Sequence, residues 1–90
     1  MVELAVVRPC EGGSGTEVVP KLRLALDLPR CARGLSSAGL HVVDARVLLV
    51  VEDAPRTTVW PTGRMIVQTM DSSEAVARAQ DLLRLMGVRD

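Results

Sequence analysis

The chain has no phenylalanine, no tyrosine and no asparagine, and only one tryptophan, one histidine and two cysteines among its 90 residues. Without aromatic side chains the core must be aliphatic, and a row of rings on which nucleic-acid bases could stack is excluded. Charge of one sign is also missing, because eleven basic residues balance eleven acidic ones. No long-range positive field would then gather phosphates, so any phosphate contact would have to arise locally. No apolar run approaches the ~20 residues of a membrane helix. The amino-terminal Met1-Val2-Glu3-Leu4 carries an acid where a secretory signal carries basic residues. A cytoplasmic location with no membrane partner is expected.

Cys10 and Cys31 form no Cys-x-x-Cys pair, and a reducing interior would keep them as thiols, with a disulfide as the alternative. The lack of Asn and the preference for Arg over Lys fit GC-rich coding and a thermophile. What is abundant is Val, Leu and Ala: 48% of the residues are hydrophobic. A chain of this length buries only ~60–65% of its unfolded surface, enough for one core. One domain over residues 1–90 is expected.

Val2 to Arg8 reads as a first strand with both faces nearly covered, ended by Pro9. Cys10 to Gly15 is a glycine-rich connector; it lacks the Gly-Lys-Ser/Thr ending of a phosphate loop. Residues 16–26 carry two periods. Val18, Val19, Leu22 and Leu26 recur at helical spacing, whereas Leu22, Leu24 and Leu26 alternate with Lys21, Arg23 and Ala25 as in a strand. The helical period is preferred. The strand alternative moves the first helix to Asp27–Leu35. In either case Pro29 marks a break and 36–39 a turn.

His41–Arg46 and Val47–Glu52 read as two consecutive strands or one bent one, Val47 to Val51 being the kind of run found in a central strand. Asp53-Ala54-Pro55 turns the chain into Arg56–Trp60. Pro61-Thr62-Gly63 then makes a hairpin with the strand that begins at Arg64, since Gly63 accepts a positive φ. Asp71 or Ser72 caps a helix with Glu74 in its first turn, and Val76, Ala79, Leu82, Leu83 and Met86 form its apolar stripe. The reading is α+β: an antiparallel sheet of about five strands, in the order β-α-β-β-β-β-α or close to it, with two helices on one face. The other face is left to a partner. The alternating Arg56, Thr58, Trp60, Arg64, Ile66 and Gln68 are the candidate DNA- or partner-binding residues, the parity that faces outward being left to the strand register.

The run Pro55-Arg56-Thr57-Thr58, Trp60, Gly63-Arg64-Met65, Ser73-Glu74 and Met86-Gly87 resembles the second half of one repeat of the TATA-binding protein family. The resemblance covers about a third of the chain. It implies a half-saddle fold, and a DNA-binding, transcription-related role as a homodimer whose edge strands join to rebuild the saddle. The family's paired phenylalanines and groove-reading asparagine have no counterpart here; Trp60 stands where one Phe stands. The fold therefore carries over better than the groove chemistry, and a protein-interaction module on the same fold is the alternative. No cofactor is expected. His41 with Cys10 and Cys31 lacks zinc-ligand spacing, and no carboxylates pair for acid–base work, so an enzyme is not expected.

Overall fold

The computed structural model of the chain describes residues 2–7 and 15–88. Its strands are β1 (Leu4–Val7), β2 (Thr16–Pro20), β3 (Val42–Asp44), β4 (Leu49–Val51), β5 (Thr57–Val59) and β6 (Met65–Val67); its helices are α1 (Leu28–Ser37) and α2 (Ser72–Leu85). All strand pairs are antiparallel, in the spatial order β1-β2-β6-β5-β4-β3. The fold is α+β as expected, with six strands rather than about five among the described residues. Residues 10–14 of the glycine-rich connector, Cys10 among them, lie outside them.

The added strand comes from the ambiguous stretch. Residues 16–20 are strand, not helix, because β2 is held between β1 and β6; Thr16 sits opposite Val67 and Val18 opposite Met65. The helical period at 18, 22 and 26 was coincidental: Leu22 is 82% exposed. The first helix then falls where the strand alternative puts it. Pro29 does not break α1 but stands in its first turn, where a missing N–H costs nothing. The Asp27 carboxylate accepts the Arg30 N–H and caps the helix.

The β5–β6 hairpin forms as expected. Gly63, at φ +91°, donates its N–H to the Trp60 carbonyl at 3.0 Å, and Trp60 donates to the Arg64 carbonyl at 2.9 Å. That is a three-residue loop closing on a left-handed position, which glycine occupies at no steric cost. α2 begins at Asp71, whose carboxylate accepts the Glu74 N–H at 3.1 Å. β3 and β4 are consecutive strands separated by a turn in which Arg46 takes φ 70° and its N–H is held by the Asp44 carboxylate. Val47 lies in that turn, 71% exposed, so the apolar run from Val47 enters the sheet only at Leu49.

Both helices lie on the same face. Register carries buried side chains across the sheet in two rows, Val51–Thr57–Val67–Thr16, with the partly buried Val42 beside Val51, and Leu49–Val59–Met65–Val18. Leu35 of α1 and Ala75, Ala79, Leu82 and Leu83 of α2 close over them. Full burial of each aliphatic side chain contributes about 1.5–3 kcal/mol. The two threonines within this core are satisfied, Thr16 donating to the Thr69 carbonyl at 2.6 Å and Thr57 to that of Pro55 at 3.0 Å. The helices meet closely at Gly34, where a Cβ would stand 2.8 Å from the Leu85 carbonyl oxygen. β1 is an edge strand; Val6 and Val7 are partly exposed rather than covered.

Candidate functional site

Strand alternation sends every second residue to the face the helices do not cover. With Thr57, Val59, Met65 and Val67 buried beneath the helices, Thr58 and Ile66 point the other way. Register extends them into one row across all six strands: Val7, Glu17, Ile66, Thr58, Val50 and Val43. Val43 is 47% exposed and the middle of the row half-buried. The row is mainly aliphatic, with one carboxylate and one hydroxyl.

The six residues singled out from the sequence share this parity. Arg56 and Gln68 continue it past one end of the hairpin, where the Gln68 N–H donates to the Arg56 carbonyl at 2.8 Å. Trp60 and Arg64 continue it past the other. The Arg64 guanidinium carbon stands 4.5 Å from the centre of the Trp60 ring, a cation–π contact. Its Nε donates to the Glu17 carboxylate at 2.7 Å. Arg64 is therefore clamped between an indole and a carboxylate. Trp60, half-buried beneath it, is not a free wedge.

Glu17 was not among the expected site residues, since it lies in the stretch whose helical period was preferred. The signal that could have found it is an acid set in the apolar sequence Val18-Val19, which an alternating strand presents on one side. Val19 was missed with it, and Val50 for a different reason: Leu49, Val50 and Val51 carry no polar alternation from which a side could be read. By strand parity Glu3, Glu17 and Glu52 lie on this side with Lys21, Arg56 and Arg64, three acids against three bases.

A second polar group lies at the edge of the sheet. Asp53, in the β4–β5 turn, accepts the His41 N–H at 2.6 Å through one oxygen and meets His41 Nδ1 at 3.1 Å through the other. The side-chain hydrogen bond and the charge of Asp53 raise the His41 pKa; the His41 backbone N–H and then its ring lower that of Asp53. The Asp53 carbonyl accepts from Arg78 of α2 at 3.0 Å, tying turn to helix. Cys31 is a buried thiol whose pKa is raised chiefly by desolvation. Among the described residues no three His, Cys, Asp or Glu side chains gather as metal ligands, and no helix is long and apolar enough to cross a membrane.

No protein-family model, curated protein or solved structure matches the chain.

Proposed function

We propose that the chain is a protein-interaction module that docks a second copy of itself on the helix-free face of its sheet. The observation that carries this reading is the Val7–Glu17–Ile66–Thr58–Val50–Val43 row, left without cover by either helix. A second copy suits this face for two reasons. Its three carboxylates and three cations are complementary to the same set turned about a two-fold axis. The net charge of zero means that two copies do not repel.

The resemblance to half of the TATA-binding protein favours the other role, a homodimer joined at its edges and bound to DNA. Against groove binding stand the zero net charge of the chain and its lack of the family's paired phenylalanines and groove-reading asparagine. Phosphate contacts release counterions and weaken steeply with salt, whereas an aliphatic interface holds or tightens.

The test is the solution mass by light scattering, at low and high salt, with and without an AT-rich duplex. A dimer that persists at high salt, ignores duplex and becomes monomeric in Ile66→Asp supports face docking. A monomer at every concentration overturns it. Duplex uptake that is reversed by salt overturns it in favour of the DNA-binding homodimer.

A further inference from the structure

A cleft of about 300 Å³ opens at the hairpin end of the sheet, lined by Val19, Pro20, Lys21, Arg23, Thr62 and Arg64. Three of these six side chains are cationic. The walls are fixed by the backbone: Leu24 donates to the Thr62 carbonyl at 3.0 Å and Leu26 to that of Pro61 at 2.8 Å, docking the 21–26 segment on the β5–β6 turn. Gly63 lies so close beneath this segment that a Cβ would come within 2.9 Å of Leu24 Cδ1 and Pro20 Cγ.

The cations differ in how far they are spent. Glu17 engages Arg64 only through Nε, which leaves the two Nη groups as donors while the Trp60 ring holds the guanidinium plane in place. Lys21 reaches Glu3 at 3.4 Å across a largely exposed gap, a weak pair. Arg23 has no ion-pair partner among the described residues. Three cations against the two carboxylates Glu3 and Glu17 leave the cleft one positive charge in excess.

We propose that this cleft binds the phosphate group of a small phosphate ester. Three cationic donors and the Thr62 hydroxyl exceed what the two oxygens of a carboxylate can use, and match the three free oxygens of a phosphate monoester. A guanidinium already held in one plane loses little freedom on binding, which is what makes a two-pronged arginine contact selective for phosphate. The volume stands at the lower end of small-molecule clefts, ~300–1,000 Å³, and leaves room for a short organic body against Val19 and Pro20. The proposal does not rest on self-docking.

Isothermal titration of the full chain at fixed ionic strength, with inorganic phosphate, glycerol 3-phosphate and acetate as separate probes, tests it. The expected result is saturable binding of the ester, tighter than inorganic phosphate and much tighter than acetate, and weakened at least about tenfold by Arg23→Ala or Arg64→Lys. Arg23 is exposed, so its variant should keep the parent melting temperature and isolate the binding effect. Three results overturn the proposal: no saturable binding of either phosphate probe, acetate bound as tightly as the ester, or Arg23→Ala binding the ester like the parent. Inorganic phosphate bound as tightly as the ester would assign the cleft to the free ion and overturn the ester.

Discussion

The two faces of the sheet are built by alternate residues of the same strands, yet they have opposite fates. On one, Val18, Leu49, Val51, Val59, Met65 and Val67 lose all contact with solvent beneath α1 and α2. On the other, Glu17, Val50, Thr58 and Ile66 are half-buried with neither helix over them. Composition does not distinguish them, since valines stand on both. What differs is the polar chemistry. Among the described residues the buried polar side chains of the covered face are two threonines, each bonded to a carbonyl, whereas the bare face holds a carboxylate, a guanidinium and an indole in contact. A covered face is tuned for packing. A bare one can carry charge, because solvent meets part of each charged group's needs until a partner arrives.

The sharpest break of this comparison is to truncate one residue on each side. Leu82→Ala, under the sheet, should cost about 2–5 kcal/mol in urea unfolding, and Ile66→Ala clearly less in the monomer. Equal losses would mean that the bare face belongs to the core. Next in size, Gly34→Ala pushes a methyl into the Leu85 carbonyl oxygen and should cost about 1–3 kcal/mol despite the better helix propensity of alanine. A neutral outcome would show that the helices can slide apart over the sheet. Smaller, and of opposite sign, Arg46→Gly removes a non-glycine residue from φ 70° and should stabilise by about 0.5–1 kcal/mol in the same assay.

The smallest effect belongs to His41 and Asp53, at the rim between the faces. The raised pKa of His41 means that its stabilising contribution is complete below its ordinary value of ~6.5 and is lost as pH rises through the folded value. The lowered pKa of Asp53 means that its contribution is complete above ~3.9 and is lost as pH falls through the folded value. Melting temperatures of the parent and Asp53→Asn should therefore differ most between about pH 4 and pH 6.5, differ less above it as His41 loses its proton, and converge only as pH falls through the folded value of Asp53. A difference that does not vary with pH would assign the effect to the backbone hydrogen bond alone.

Much of the architecture was legible because its signals are local. The hairpin at Pro61–Gly63, the Asp71 cap and the apolar stripe of α2 each depend on residues within a few positions of one another. Residues 16–26 were not, because their leucines satisfy two periods at once and one of them, Leu22, lies in solvent. The parity of Arg56, Thr58, Trp60, Arg64, Ile66 and Gln68 could be read from alternation, but which side it faced could not.

By itself, then, the sequence determined the turns, the caps and the periodic segments of this protein, which short-range sterics and hydrogen bonds dictate. Tertiary structure alone decided that Thr16–Pro20 is a strand, since that depends on β1 and β6 offering their edges. It also decided which face stays bare, since both helices pack on the opposite side. The clamp on Arg64 is of the same kind: its carboxylate comes from Glu17, 47 positions away in the chain. Such a contact exists only after the intervening loop has closed, and the cost of that closure is met by the burial of the whole core rather than by any residue near the site.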